Sequence, residues 1–309
     1  MRVLVTGGSG FIGSHVVDRL FAQGHEPRNF DLVPSPHHNG EVRTMTGDLL
    51  DAESLRSAVR GCDAVVHLAA VSDVNQVVAD PSHAEMVNVR GTKILLEMAR
   101  AEQVQRLVYA STIWVYGNTN GVGPVDEESP LPLPGHFYTA TKLAGEMYCR
   151  SYQELYGLPH TILRFGIPYG PRSRRAAVVA AFVERALAGQ PLVITGDGKQ
   201  SRRFVYVEDL ADGIVAALNP AAEGRIYNLV GPESVSVETI AATVRELVGT
   251  VPIVHVASRP GDLRGAEVSG KRASEELGWR SAMPFAEGVG RYLTWLRATN
   301  GNGVAPARS

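Results

Sequence analysis

The sequence predicts an α/β protein built on a doubly wound parallel sheet, followed by a smaller α/β C-terminal lobe that covers a substrate. Three observations predict it. Val3-Leu4-Val5 is a β-branched and aliphatic run of the kind buried on both faces, and it turns through glycines into a stretch where Ile12, Val16, Val17 and Leu20 recur at helical spacing. Short apolar runs and amphipathic stretches then alternate as far as residue 166. Beyond that point the elements become shorter and are broken by Pro and Gly.

The first turn reads Thr6-Gly7-Gly8-Ser9-Gly10-Phe11-Ile12-Gly13. Gly7 permits the tight turn, Gly10 has no side chain to keep the backbone from a pyrophosphate, and Gly13 lets the helix lie close on the strand. The free N–H groups of the helix's first turn then face an anion. Asp31 follows at about the separation expected of the acid that holds an adenosine ribose. A carboxylate accepts hydrogen bonds from the 2′- and 3′-hydroxyls and repels a 2′-phosphate, and no arginine directly follows it, so NAD is favoured over NADP. The intervening Glu26-Pro27-Arg28-Asn29-Phe30 is a poor second strand, tolerable only if Pro27 lies near its start.

Val42 to Met45 reads as a third strand ending at Thr46-Gly47-Asp48-Leu49, where Asp48 either reaches an adenine amino group or caps the helix that starts near Asp51. Ala64 to His67 runs into Leu68-Ala69-Ala70, small residues that let the backbone approach a cofactor. Pro81 to Glu102 reads as one long helix with Val87, Ile94, Leu95 and Met98 on one side. Within it, Asn88 either faces solvent or ties two segments together. The strand Arg106 to Ala110 delivers Ser111-Thr112 at its carboxyl end, where open α/β sheets bind their ligands. Tyr138 and Lys142 then stand four apart on a helix, so a phenol and an ammonium share a face. A phenol is too weakly acidic to be a base at neutral pH, and a nearby cation favours its phenolate.

Composition narrows the partners. The chain has 309 residues and a formal charge of −2, enough for a full core and without the basic face that a nucleic-acid partner requires. The apolar runs are too short for a membrane span, and Met1-Arg2 leads directly into the first strand, which predicts a cytoplasmic protein without a signal peptide. Cys62 and Cys149 read as packing residues in a reducing compartment, His37-His38 as part of an exposed loop, and no metal site is expected.

Taken together, these motifs resemble the extended short-chain dehydrogenase/reductase family, in its NAD-dependent nucleotide-sugar epimerase/dehydratase branch. The resemblance runs from the glycine motif through Asp31, His67-Leu68-Ala69-Ala70, Asn88-Val89-Arg90-Gly91-Thr92, Ser111-Thr112 before Val115-Tyr116-Gly117, and Tyr138 with Lys142, to the C-terminal helix near Trp295. It implies a Rossmann sheet from 1–166 plus 205–222, a substrate lobe from 167–204 plus 223–298, and a disordered tail from 299–309. It also implies that Tyr138 is the acid/base, that Lys142 lowers its pKa and holds the nicotinamide ribose, and that Thr112 binds the reacting sugar oxygen. NAD would contact Gly7, Gly10, Phe11, Ile12, Gly13, Asp31, Asp48, Leu49, Leu68, Ala69, Ala70, Asn88, Ser111, Tyr138, Lys142 and Phe165. A homodimer is implied through the helices around 85–102 and 138–157, which could equally just cover the sheet.

The substrate is implied by two further segments. Arg202, in Gly196 to Asp209, and Arg259 with Asp262 match the places where the family grips a nucleotide diphosphate. Dehydratases of the branch carry Asp-Glu directly after the threonine, and decarboxylases a glutamate nearby. Ile113 and Trp114 stand there instead, so elimination has no second acid. One departure is Ile167, at a position where the family has an asparagine that donates to the diphosphate. Trp114 and Phe165 add bulk near the sugar. The expectation is an NAD-dependent epimerase acting at C4 of a UDP-hexose. A 4-ketosugar reductase with the same residues and a non-catalytic NAD sensor are the alternatives.

Overall fold

A computed structural model describes all residues except 39, 41, 118–122, 258–266 and 302–309. The chain opens with β1 (Arg2–Thr6), α1 (Phe11–Ala22), β2 (Glu26–Asp31), β3 (Thr44–Thr46), α2 (Ala52–Val59), β4 (Ala64–His67), α3 (Val74–Ala79) and α4 (Pro81–Glu85). A π-helical segment, Met86–Gly91, joins α4 to α5 (Thr92–Ala101). There follow β5 (Arg106–Thr112), a 3₁₀ turn (Ile113–Tyr116), α6 (Phe137–Tyr156), β6 (His160–Phe165), β7 (Ile167–Tyr169), α7 (Val178–Leu187), β8 (Leu192–Thr195) and β9 (Ser201–Tyr206). The remainder is α8 (Val207–Ala216), β10 (Ile226–Leu229), β11 (Ser234–Ser236), α9 (Val237–Val248), β12 (Ile253–Val256), α10 (Lys271–Leu277) and α11 (Phe285–Gly301).

Seven parallel strands form the main sheet in the order β10-β6-β5-β4-β1-β2-β3. The connections reverse direction between β1 and β4, which opens a crevice beyond the strands' carboxyl ends. Both faces are covered, as continuous apolar strands require. Val3, Val5, Val66, Val108 and Leu163 pack on one side with α1 and α8, whereas Leu4, Val65, Leu107 and Tyr109 pack on the other with α2, α5 and α6. A third core gathers α7, α9 and α11 around the small sheets β11-β9-β7 and β12-β8.

The weak second strand forms after all. Pro27 is its second residue, opposite Val3, and β3 pairs with β2 only from Asn29 onward, so the proline lies outside the β2–β3 ladder. Two expected boundaries move. Residues 226–229, assigned from sequence to the substrate lobe, hydrogen-bond to β6 as the edge strand of the main sheet, because Ile226 and Tyr227 complete its apolar faces. Residues 299–301, expected in a disordered tail, continue α11; the rest of that tail lies outside the described residues.

Helix α6 lies tightly on β5. The Tyr109 hydroxyl donates to the Lys142 carbonyl (3.3 Å), and a Cβ on Gly145 would collide with that phenol. Tyr109 is fully buried and has nowhere to go. Gly145→Ala is therefore expected to destabilise the fold by about 1–3 kcal/mol in urea unfolding. An unchanged midpoint would show that α6 can ride away from the sheet.

Candidate active site

The glycine turn joins β1 to α1 at the switch point. Gly7 adopts φ +75°, a left-handed conformation that a glycine accepts without strain, and a Cβ there would lie 2.8 Å from the backbone nitrogen of Ala69. A Cβ on Gly13 would collide with the Gly7 carbonyl. Gly10 is the N-cap of α1 and no side chain caps it, so the N–H groups of the first turn remain available to an anion. Asp31 ends β2 beside this turn and accepts the Ser9 N–H at 3.0 Å. Burial raises its carboxyl, and the N–H groups of Ser9, Val33 and Leu32 oppose that rise. An uncapped helix start, a backbone approach closed to any Cβ, and a carboxylate one strand away fit a dinucleotide. Asp48 is exposed and accepts from Leu50 N, while the side chain of Asp51 caps α2, so Asp48 is not that helix's cap. Leu49 is buried against Gly91.

Asn88 settles as a tie between segments. The expected continuous helix is interrupted there by one π-helical turn, which turns the side chain inward. Its Oδ1 accepts from Val71 N (2.8 Å), and its Nδ2 donates to the Val71 carbonyl (3.0 Å) and to Thr141 Oγ1 (3.1 Å). The Thr141 hydroxyl in turn donates to the Tyr138 carbonyl (2.7 Å). A second run of bonds reaches Asn88 from the glycine turn. The Thr92 hydroxyl donates to the Asn88 carbonyl (2.6 Å), so toward His67 Nε2 (2.9 Å) it can only accept. His67 therefore carries its proton on Nε2, and Nδ1 accepts from the Thr6 hydroxyl (2.7 Å). Burial first, then Lys142, pull His67 down to about 3, which keeps the ring neutral.

Thr112 and Tyr138 meet around Trp114. Thr112 ends β5 and its Oγ1 accepts the Trp114 N–H (3.2 Å), while the Trp114 indole stands edge-on to the Tyr138 ring with centroids 6.3 Å apart. His136 caps α6 by accepting the Tyr138 N–H (3.2 Å) and meets the same indole edge-on. Lys142 is buried one turn further along, its Nζ 6.0 Å from the Tyr138 ring centroid and 5.2 Å from that of Tyr109. Burial pushes the Tyr138 phenol up to about 12, a rise that the Arg174 guanidinium opposes. Burial also pulls the Lys142 ammonium down to about 8. The pair is thus built as a neutral phenol beside a reluctant cation, and further positive charge in the cleft would favour the phenolate.

Other expected residues are placed differently. Ser111 directs its hydroxyl to Glu146 Oε1 (2.5 Å), and Phe165, at the end of β6, is buried in the first core. Ile167 opens β7 and packs against the third core, where an apolar residue is at home. Arg202 lies on β9 opposite Val235, its Nη1 donating to the Ser201 carbonyl (2.8 Å). Arg259 and Asp262 lie outside the described residues. Sequence reasoning passed over Arg174, which bridges to Asp73 (3.3 Å) and bears on Tyr138. Only its place in the basic run Arg172-Ser173-Arg174-Arg175 marked it. Among the described residues no group of side chains could hold a metal, and no helix is long and apolar enough to cross a membrane.

The depressed lysine has a thermodynamic consequence. Below pH 8 the folded chain must bury an ammonium that the unfolded chain keeps in water, so that charge opposes folding at neutral pH and the penalty fades as pH rises through 8. Lys142→Met is expected to raise unfolding free energy at pH 7 by about 1–3 kcal/mol, with the gain shrinking toward pH 10. Equal or lower stability in denaturant titrations would show that the ammonium is compensated.

Comparison with known proteins gives a consistent picture. The NAD dependent epimerase/dehydratase family matches residues 3–230. A UDP-glucose 4-epimerase of Mycolicibacterium smegmatis is 35% identical over 96% of this chain and 99% of its own, and a dTDP-glucose 4,6-dehydratase of Streptomyces griseus is 31% identical over 95% and 93%. The crystal structure of a Thermus thermophilus UDP-glucose 4-epimerase complexed with NAD superposes with a TM-score of 0.89 at 35% identity, covering 96% of this chain and 99% of that one. That of a Thermotoga maritima UDP-glucose 4-epimerase with UDP-glucose gives 0.91 at 31% identity, covering 97% and 100%. With its glycine turn, Asp31 beside that turn, and Tyr138 and Lys142 on one helix, the chain belongs to the NAD dependent epimerase/dehydratase family.

Proposed function

We propose that the protein is an NAD-dependent nucleotide-sugar epimerase that inverts C4 of a UDP-hexose through a transient 4-keto sugar. One observation separates this reading from the dehydratase relatives: the residues after Thr112 are Ile113 and Trp114, one buried and one packed edge-on to Tyr138, so no carboxylic acid stands there to protonate a leaving hydroxyl. Gly7, Gly10, Gly13 and Asp31 would hold NAD, and the backbone at Leu68, Ala69 and Ala70 would flank it. NAD supplies a reversible hydride acceptor whose oxidised ring is cationic.

In this reading Tyr138 accepts the proton of the C4 hydroxyl and later returns it to the keto oxygen. Lys142 favours the phenolate and binds the nicotinamide ribose. Thr112 holds the C4 oxygen before and after the sugar turns over, which limits the search to rotation within one pocket. Arg202, Arg259 and Asp262 are assigned to the nucleotide diphosphate, which stays fixed while the hexose turns. A homodimer is inferred through the α5 and α6 faces, where Met147, Leu155 and Tyr156 on α6 and Met86 before α5 are exposed. Two buried free thiols suit a reducing, cytoplasmic setting.

The test is conversion of a UDP-hexose in deuterated water without added cofactor. The expected product is inverted at C4 and carries no solvent deuterium; deuterium at C3 or C5, or turnover only with supplied NADH, would overturn the reading. Tyr138→Phe is expected to lose at least about 100-fold in kcat while retaining NAD. Met147→Glu should shift the mass seen by light scattering toward a monomer, and an unchanged mass would remove the helical dimer.

A further inference from the structure

Tyr138, Lys142 and Glu146 fall on one face of α6, two turns of the same stripe. The first two face the cleft chemistry; the third is wholly buried and takes no part in it. Glu146 accepts a forked pair of bonds from Arg164 of β6, Nε to Oε1 at 3.0 Å and Nη2 to Oε2 at 2.8 Å, and Oε1 also accepts the Ser111 hydroxyl of β5. The remaining Arg164 Nη1 donates at 2.9 Å to the hydroxyl of Tyr116, the last residue of the 3₁₀ turn that carries Trp114. That hydroxyl in turn donates a hydrogen bond to Asn228 Oδ1 of β10 at 2.8 Å. Asn228 is held by Glu127 Oε1 through its N–H (2.7 Å) and by the Ser269 carbonyl through Nδ2 (3.0 Å). Every bond has one donor and one acceptor, and the chain crosses α6, β5, β6 and β10.

Stability alone does not account for such a pair. Two buried ions lose so much hydration that exchanging both for apolar residues of similar volume is commonly neutral or favourable, whereas removing one partner is ruinous. What the pair supplies is direction. An apolar helix–sheet contact tolerates small sliding, but a forked guanidinium–carboxylate contact is fixed in distance and plane. Here it fixes the helix bearing Tyr138 and Lys142 to the strand end bearing Thr112 and to the turn bearing Trp114.

We propose that Glu146 and Arg164, with Ser111 and Tyr116, are positioning residues that register α6 against the carboxyl end of β5, so that Tyr138 and Thr112 address the same sugar oxygen. The identity of that oxygen rests on the proposed epimerase reading; the registering role does not. Displacements of an ångström between reacting groups are costly in rate and cheap in binding, so the signature is a loss in kcat without a matching change in KM.

The experiment compares the full-length protein with Glu146→Leu/Arg164→Met, which removes both charges together, and with Tyr116→Phe, which removes the central hydroxyl alone. Melting temperature, retained NAD, kcat and KM for UDP-hexose are measured, together with the pH midpoint of the tyrosinate absorbance that Tyr138→Phe abolishes. We expect the double variant to melt and retain NAD like the parent but to lose about 100-fold in kcat at unchanged KM. Tyr116→Phe should lose about 10-fold. The Tyr138 midpoint should shift from the parental value in both, because the depth at which α6 seats the phenol against Trp114, and its place relative to Arg174, are no longer fixed. Parental kcat and midpoint in a stable double variant would overturn the proposal. Should the double variant not fold, parental values in Tyr116→Phe would overturn it as well. If the parent itself does not convert UDP-hexose, the epimerase reading fails, and the tyrosinate midpoint alone decides the positioning role.

Discussion

A phenol on a helix and a hydroxyl on a strand can act on one oxygen only if the helix cannot slide along the sheet. That constraint explains why the interface between α6 and its neighbours is so polar for a buried surface. Tyr109 reaches the Lys142 carbonyl through the space left by Gly145, Asn88 reaches Thr141, and Arg164 with Ser111 reaches Glu146. The ties come from β5, β6 and the π-helical segment. Buried polar groups are costly unless fully paired, and once paired they admit a single arrangement where an apolar contact admits several.

The same logic links the glycine turn to the helix that bears Tyr138. From Thr6, at the foot of the glycine turn, hydrogen bonds run through His67 and Thr92 to the Asn88 backbone, and from the Asn88 side chain through Thr141 to the carbonyl of Tyr138. A neutral His67 is essential to this run, since an imidazolium would donate from both nitrogens and reverse the bond to Thr6. Burial first, and then the nearby Lys142, favour that neutral form. The π-helical turn at Asn88 is a local irregularity with a purpose: it aims one side chain at two segments that a regular helix would leave unconnected.

How far these features were legible in the sequence follows from how local their causes are. The strand–glycine–helix turn, the Ser111-Thr112 strand end and the Tyr138–Lys142 spacing are set within a few residues, and their backbone elements stand where the sequence puts them. The strand through Pro27 defied local propensity because β3 starts late and spares the proline a partner. Residues 226–229 were misplaced because membership of a sheet is decided by a neighbour sixty residues away. Glu146 carries no sequence signal for the same reason: a buried carboxylate is intelligible only once Arg164 and Ser111 are seen opposite it. Spacing leaves Asp48 open between an adenine contact and the cap of α2, and the structure gives that cap to Asp51, whose carboxylate accepts from the N–H groups of Glu53 and Ser54.

The central claim is that a hydride removed from C4 of a sugar returns to that same sugar molecule. The most direct measurement mixes UDP-hexose deuterated at C4 with UDP-hexose carrying only a carbon-13 label and follows both products by mass spectrometry. Return to the parent molecule predicts that deuterium never appears in the carbon-13 product, however long the mixture turns over. Deuterium shared between the two populations would contradict it.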